Sequence, residues 1–433
     1  MIFMIFMIFM IFMMSTTMTF ANGIAKENMT SAEFLAGSNA EGEITLTEDI
    51  TLSDALKVDA KNYTVDLNNH TLMLTKDTNL FVNNANVTFK NGSIKIEGIK
   101  GSADCILGVG HYGSSANLTL NNVKLEASNY TSPYALIFVY NESTLNIENN
   151  SVLNAKNEQS SSGGVIKTSN GKAGKINITD STLNFENVER GFVDGVINIK
   201  NSAVTMIGLD NGINNSDLTV DNSTLTISDC IGRALTINGT NVNVKNGSVL
   251  DFSKSLEGDI LFKSEGKINI DKSSELNFET VKTFDGAKLN ELIESEKYDY
   301  EVDAEGNIIK VCNHSNDFII INTKDATCTE EGYTGDKVCP DCNEVMEEGT
   351  IIPKLSHEFE DGICNNCGEL DPNYNTGTEE EPGTEEKPNT ENNSDNGVDS
   401  PQTSDDTNLY FMVGMIIFSI IGLACIRKTR SVQ

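Results

Sequence analysis

The sequence of 433 residues contains no tryptophan, only 7 prolines and few basic side chains. Its 31 lysines and arginines are outnumbered by 63 aspartates and glutamates, which gives a formal net charge of −32 at pH 7. A charge of this size repels phosphate groups and anionic lipid headgroups. We therefore expect no nucleic-acid partner. The acidity and the missing tryptophan fit an exported protein that depends on solubility more than on a dense aromatic core.

The N-terminal segment 1–25 has the features of a secretion signal. Its first part, 1–14, repeats Met-Ile-Phe, and small residues up to Ala25 offer cleavage sites. This stretch resembles the apolar core of a signal peptide. No Lys or Arg precedes Lys26, so the usual positive start is missing, which a mis-assigned start codon would explain. An uncleaved membrane anchor is the alternative, although the run is short for a membrane span.

The C-terminal segment 400–433 combines three elements. The run 409–426 carries no charged residue, and as a transmembrane helix it would rise about 27 Å, close to the thickness of a bilayer core. A basic tail, Arg427–Arg430, follows directly, as the positive-inside rule expects of a cytoplasmic end. The pentapeptide Ser400-Pro401-Gln402-Thr403-Ser404 stands shortly before the run.

This three-part arrangement resembles a sortase sorting signal, in which Leu-Pro-x-Thr-Gly precedes an apolar span and a basic tail. Pro401 and Thr403 match the family pattern, whereas Ser400 and Ser404 replace its Leu and Gly. The resemblance implies cleavage after Thr403, attachment of Thr403 to the peptidoglycan cross-bridge, and transient membrane contact through 409–426. We thus expect a secreted protein anchored in the cell wall of a Gram-positive bacterium. An ordinary single-span anchor is the alternative.

The segment 371–399 consists mainly of Asn, Thr, Gly, Pro and acidic residues. Such a composition buries too little apolar surface to offset the chain entropy that folding would cost. We therefore predict a disordered acidic linker, which would act as a solvated spacer through the wall.

A repeat of short alternating strands occupies the middle of the chain. The spacing from Ile176 to Ile197, and again from Ile197 to Leu218, is 21 residues, and it widens to 31 elsewhere. Single strands of this length cannot form a core, but stacked coils place each apolar position on its equivalent in the next coil. The repeated apolar pairs are Val87-Phe89, Leu118-Leu120, Leu145-Ile147, Ile176-Ile178, Ile197-Ile199, Leu218-Val220, Val242-Val244 and Ile268-Ile270.

Most of these pairs are followed by a polar turn and a second alternating pair. An asparagine recurs in the turn, at Asn91, Asn201, Asn222 and Asn246. Asparagine tolerates tight turns, and its amide can hydrogen-bond to equivalent amides along a stack. We therefore predict an asparagine ladder.

The repeat over 42–286 resembles the right-handed parallel β-helix of the pectin-lyase-like superfamily, especially its non-catalytic adhesin-like members. An all-β fold is the expectation from this resemblance. A helix over 30–41, in which Thr30 and Glu33 form a capping box, would plug the open end. Leucine-rich repeats are disfavoured, because no helix-length segment separates the strands in the tightest repeats.

Candidate catalytic residues are scarce in this segment. Lyase chemistry on a uronate needs a base and cationic groups. The only arginines between residues 42 and 286 are Arg190 and Arg233, with Asp194 and Asp229 near them. His111, in a glycine-rich loop, is the remaining candidate base. We expect both arginines to be surface charges and the protein not to be an enzyme. A wall-attached polysaccharide lyase or glycoside hydrolase is the alternative.

The composition changes after a predicted terminal cap and hairpin, 287–311. Eight Cys and His donors suffice for two tetrahedral metal sites, and each Cys-x2-Cys pair is preceded by a His. Three disulfide bonds are the alternative that an extracellular location favours, but they would not need two positioned histidines. The donors are Cys312, His314, Cys328, Cys339, Cys342, His357, Cys364 and Cys367.

The segments Ala326–Tyr333, Cys339–Cys342 and His357–Gly368 resemble a small zinc-ribbon-like repeat of surface proteins in Firmicutes. The resemblance implies a module over 312–370 with two structural Zn²⁺ ions. It assigns His314, Cys328, Cys339 and Cys342 to one site and Cys312, His357, Cys364 and Cys367 to the other. Taken together, we expect an adhesin or carbohydrate-binding protein whose partners are glycans or matrix proteins.

Overall fold

The computed structural model describes residues 26–75, 78–99, 105–111, 114–140, 142–157, 163–169, 174–304, 307–315 and 317–374. The chain forms two compact units, of which the first ends at His357 and the second begins at Glu358. A parallel β-solenoid makes up most of the first unit. Over the described residues the fold is therefore all-β apart from two short helices.

Each coil of the solenoid contributes three strands, numbered here in chain order, and every pairing between coils is parallel. The first strands are β2 Glu43–Thr45, β5 Tyr63–Asp66, β12 Thr144–Glu148, β15 Lys175–Thr179, β18 Val196–Lys200, β21 Asp217–Asp221, β24 Val242–Lys245, β27 Ile268–Ile270 and β30 Ile293–Ser295. The second strands are β1 Lys26–Met29, β3 Ile50–Leu52, β6 Thr71–Leu74, β13 Val152–Lys156, β16 Thr182–Glu186, β19 Ala203–Ile207, β22 Thr224–Ser228, β25 Val249–Ser253 and β28 Glu275–Asn277. Two long strands, β8 Asn86–Glu97 and β10 Asn117–Ser128, serve as first and second strand together.

The third strand of each complete coil belongs to a separate 10-stranded sheet, so the described part of the solenoid has ten complete coils, preceded by β1 and followed by β30. These strands were not identified from the sequence. They are β4 Leu56–Asp59, β7 Leu80–Asn83, β9 Cys105–Val109, β11 Ala135–Val139, β14 Gly164–Thr168, β17 Arg190–Val193, β20 Asn211–Asn214, β23 Leu235–Ile237, β26 Ile260–Phe262 and β29 Val281–Lys282.

The apolar pairs of the repeat form the core in the predicted way. Ile176 lies opposite Ile197, and Ile197 lies opposite Leu218, in adjacent coils. All three side chains are at most 1% exposed. One continuous apolar cluster runs from Met29 to Tyr300, so each coil is shielded from water only by the coils next to it.

The solenoid extends beyond the predicted range 42–286 at both ends, because β1 pairs with β3 and β30 pairs with β27. Helix α1, Ser31–Ala36, is shorter than the predicted 30–41, and the predicted capping box of Thr30 and Glu33 is present. Phe34 of α1 is fully buried in the core cluster. A second helix, α2 Leu289–Leu292, precedes β30.

The asparagine ladder is also present. Asn222 donates its Nδ2 hydrogen to Asn201 Oδ1 at 2.9 Å, and Asn201 donates to Asp180 Oδ1 at 3.0 Å. Asn246 instead reaches Asp221 Oδ1 at 2.7 Å. Asn222 has a φ of 47°, a left-handed conformation that Asn adopts more easily than most residues. Asparagine at these positions thus accommodates the left-handed turn, and its side-chain amide gains a hydrogen-bond partner in the next coil.

A serine ladder that the sequence did not reveal lies next to the asparagines. The backbone N–H of Ser202 donates to Ser223 Oγ at 3.0 Å, and that of Ser223 donates to Ser248 Oγ at 3.1 Å. These three serines are at most 7% exposed. Because each hydroxyl also donates to a carbonyl in its own turn, the buried turns keep their hydrogen bonds satisfied.

Small antiparallel sheets follow the solenoid. In the first unit they are the predicted hairpin, β31 Tyr298–Val302 with β32 Ile308–Cys312, then β33 Ile319–Ile321 with β35 Asp336–Val338 and β36 Val345–Glu347, and β34 Gly332–Tyr333 with β37 Ile351–Ile352. The second unit contains β38 Phe359–Glu360 paired with β39 Ile363–Cys364.

Candidate metal centres

The first group of metal donors is assembled from two turns. Cys312 is the last residue of β32, and His314 follows it with a φ of 51°. Cys339 and Cys342 occupy the turn that follows β35. The four ligand atoms lie within 4.8 Å of one another, so this group can hold one metal ion.

Backbone hydrogen bonds shape the Cys339–Cys342 turn. The N–H of Cys339 donates to the carbonyl of Glu344 at 3.0 Å, and the N–H of Asn343 donates to the carbonyl of Cys339 at 2.9 Å. Asn343 has a φ of 61°. The Cys364 turn of the second unit has the same two bonds, from Cys364 N–H to Glu369 and from Gly368 N–H to Cys364. Both turns therefore present their two thiols in the same way.

The distances in the first group fit tetrahedral coordination. Cys312 Sγ lies 3.6 Å from Cys339 Sγ, and Cys342 Sγ lies 3.4 Å from His314 Nε2. A tetrahedral zinc ion with its usual bond lengths would separate two sulfurs by about 3.8 Å, and a sulfur from a nitrogen by about 3.6 Å. A disulfide bond would instead need sulfurs about 2.05 Å apart. The donor set thus fits zinc better than a Cys312–Cys339 disulfide.

The thiols of Cys312 and Cys339 differ in pKa because their surroundings differ. Burial raises the pKa of the Cys312 thiol to about 11. Burial also acts to raise the pKa of Cys339, but hydrogen bonds from the backbone of Asp341 and Cys342 and from Cys312 outweigh it, so this pKa is lowered. A bound cation would favour the thiolate form of both, since metal binding to cysteine displaces the proton.

A second group consists of Cys328, His357, Cys364 and Cys367, whose ligand atoms also lie within 4.8 Å of one another. This group can hold a second ion.

All eight predicted donors thus fall into two groups of four, but the division implied by the resemblance was wrong. Cys312 belongs with His314, and Cys328 belongs with His357, so these two cysteines exchange places. The reason is the tertiary structure. The hairpin of β31 and β32 ends at Cys312, and it places the Cys312 thiol beside the Cys339 thiol in the turn after β35. No disulfide bond joins any of the eight cysteines of the described part of the chain.

The candidate catalytic residues do not meet in one cleft. His111 follows β9 and Arg190 begins β17, three strands further along the 10-stranded sheet, which is about 14 Å at the usual strand spacing. Arg233 lies about two coils beyond Arg190. Each arginine is paired locally, Arg190 with Glu189 at 3.0 Å and Arg233 with Glu257 at 3.5 Å.

His111 packs against aromatic rings, with its ring centroid 5.1 Å from that of Phe81 and 4.7 Å from that of Tyr140. Asp194 is half-buried at the end of β17, and burial raises the pKa of its carboxyl although Lys167 and Arg190 act to lower it. Asp229 adopts a φ of 57° in the loop between β22 and β23 of one coil. These three residues thus occupy separate positions on the solenoid.

The predicted signal segment 1–25, most of the linker 371–399 and the sorting signal 400–433, including Thr403 and the run 409–426, lie outside the described residues. Among the helices of the described segments, none has the length and apolar character that crossing a bilayer requires.

Comparisons with known proteins give no assignment, because no family model, no curated protein and no solved structure matches this chain.

Proposed function

We propose that both Cys/His groups bind Zn²⁺ and that the ions are structural. Three thiols and one imidazole are the donor set that zinc prefers over harder cations. The four protein donors of each group fill a tetrahedron, so no coordination position is left for water or substrate. Zinc would supply a strong cross-link between segments that are otherwise joined by short strands. Elemental analysis of the full chain, purified under reducing conditions, should find two zinc ions per chain.

We further propose that the solenoid is a rigid binding scaffold and not a catalyst. The observation that carries this proposal is the polar row along the outer face of the first strands. Asn198 Nδ2 donates to Asn177 Oδ1 at 3.0 Å, and Asn177 donates to Asn146 Oδ1 at 2.9 Å. A side-chain amide has two N–H groups and two acceptor positions, so half of each amide's capacity remains for a ligand.

Asn146, Asn177 and Asn198 follow one another in consecutive coils, about 4.8 Å apart. Such a row suits the hydroxyl groups of an extended glycan. The net charge of −32 disfavours anionic polymers, so we propose neutral glycans as the ligand class. Together with the signal segment and the sorting signal in the sequence, this supports a wall-anchored adhesin or carbohydrate-binding protein, with Thr403 as the attachment residue.

A glycan array probed with the full chain tests this proposal. Replacing the row with alanine at Asn177 and Asn198 should remove binding. A matched control is Asn184→Ala, because Asn184 donates to Asn154 Oδ1 at the same kind of distance, 2.9 Å, but on the face of the second strands. Equal loss of binding in both variants, or binding only to anionic polymers, would contradict the proposed surface.

A further inference from the structure

The last coil of the solenoid has no coil above it to complete its hydrogen bonds. Strands β28 and β30 each pair with a strand of the preceding coil, β25 and β27. In the described part of the chain, no further solenoid strand pairs with their other side. An open sheet edge of this kind presents unpaired carbonyls and is a template for association with another chain.

Side chains from the hairpin and from the segment that carries Cys312 and His314 bind to this edge. Tyr300, buried in the core, donates its hydroxyl to the carbonyl of Leu276 in β28 at 3.2 Å. Asn313 Nδ2 donates to the carbonyl of Ser295 in β30 at 3.1 Å, and the hydroxyl of Ser315 donates to the carbonyl of Glu296. These three donors stand where the amides of a further coil would be.

Two of these three residues, Asn313 and Ser315, directly follow a metal donor in the sequence. Asn313 lies between Cys312 and His314, and its backbone N–H also donates to the carbonyl of Lys297 at 3.2 Å. On the opposite turn, Asp341 lies between Cys339 and Cys342, and its Oδ1 is 3.5 Å from Lys297 Nζ. The side chains of Lys297 and Asp341 are 19% and 16% exposed. Both turns of the first metal group are thus fastened to the segment that directly follows β30.

We propose that the metal ion of the first group (Cys312, His314, Cys339 and Cys342) keeps the C-terminal edge of the solenoid closed. The ion holds the Cys312–Ser315 segment in place, and this segment donates hydrogen bonds to the carbonyls of Ser295 and Glu296 at the end of β30. An ion that binds only the folded arrangement stabilises that arrangement by mass action. Loss of the ion therefore frees the edge for opening and for pairing with a second chain. The inference rests on the proposed zinc binding.

Hydrogen exchange of the full chain, with zinc bound and after chelation, tests the clamp. We expect exchange in peptides from β28, β30 and the Cys312–Ser315 segment to become at least about tenfold faster on chelation, since local opening sets the exchange rate. Peptides from β12 and β13, far from this end, should not change. Sedimentation velocity of the same samples should show self-association only after chelation.

Two variants distinguish the effect of the metal ion from the effect of the Asn313 hydrogen bond. Asn313→Ala retains all four donors, so it should keep two zinc ions. It should nevertheless show at least about threefold faster exchange in β30, because the part-buried carbonyl of Ser295 loses its hydrogen bond. Asn365→Ala is the control. Asn365 also stands next to a donor cysteine, but its side chain bonds to Glu360, so exchange in β30 should stay unchanged.

The outcomes are distinguishable. Zinc at the first group combined with unchanged β30 exchange after chelation and in Asn313→Ala overturns the clamp but leaves the zinc proposal intact. Absence of zinc at the first group overturns both. Slow exchange in β30 that depends on zinc and on Asn313 supports both.

Discussion

Cys312 Sγ and Cys339 Sγ lie 3.6 Å apart although 27 positions separate them in the chain. This closeness exists only when the hairpin β31–β32 and the turn after β35 are both formed. The first group of donors is therefore a sensitive reporter of whether the segment after the solenoid is folded.

Replacing Cys339 with serine should lower the zinc content from two ions to one per chain. Cys339 is fully buried, and the loss of a direct ligand should weaken binding by more than the roughly 10- to 100-fold typical of residues that only support a ligand. Elemental analysis and competition with a chromophoric chelator measure this. Cys230→Ala is the control, because Cys230 is buried in the solenoid core and its loss should leave both ions bound.

Replacing Ile197 with alanine should destabilise the solenoid by about 2 to 5 kcal/mol, the usual cost of a large-to-small change in a close-packed core. Ile197 is fully buried between Ile176 and Leu218. Ile207→Ala removes the same atoms from a side chain that is 44% exposed and should cost less than about 1 kcal/mol. Urea unfolding compares the two variants, and similar costs would contradict the buried stack.

The ladder residue Asn222 combines a left-handed backbone with a hydrogen bond to Asn201. Asn222→Ala should cost about 2 kcal/mol, since it loses the hydrogen bond and places a Cβ without local polar compensation in the left-handed region. Asn222→Gly loses only the hydrogen bond and should cost about 1 kcal/mol. Thermal unfolding tests the order, and a glycine variant less stable than the alanine variant would contradict it.

Acid should destabilise the later coils through Asp221 and Asp271. A hydrogen bond from the Asn246 side chain lowers the pKa of Asp221. Burial acts to raise the pKa of Asp271, but hydrogen bonds from the Asn246 backbone and from Ser273 and Ser274 outweigh it and lower this pKa as well.

Both carboxyls thus have a lower pKa in the folded protein than an ordinary aspartate, so the unfolded chain binds more protons. The stabilisation is complete above the unfolded pKa and is lost as the pH falls through the folded values. Unfolding midpoints of the wild type and Asp271→Asn, measured between about pH 6 and pH 2, should show a smaller acid-induced loss in the variant. An unchanged profile would remove Asp271 from this explanation.

The sequence predicted the parts of the fold that depend on alternation. Ile176, Ile197 and Leu218 point inward because apolar and polar residues alternate on strands with one wet face, and the structure places them in one stack. The third strands escaped detection for the same reason. In β11, all five residues from Ala135 to Val139 are buried, so no alternation marks the strand.

The donor types were predictable, and their grouping was not. The sequence shows which side chains can bind a metal, since thiols and imidazoles recur at close spacing. Which four donors meet depends on tertiary structure, here on the hairpin that carries Cys312 to Cys339. The edge contacts of Asn313 and Ser315 were equally invisible, because single polar residues in a loop carry no pattern.

The regular register of the coils has a consequence for how such a protein can change in length. Ile176, Ile197 and Leu218 follow one another at intervals of 21 residues, as do the ladder residues Asp180, Asn201 and Asn222. Removing one such interval would bring Ile176 directly onto Leu218 and shorten the solenoid by about 4.8 Å, with every remaining contact preserved in kind. Recombination between neighbouring repeats would thus change the length of the solenoid in steps of one coil and leave the segments at its two ends unchanged.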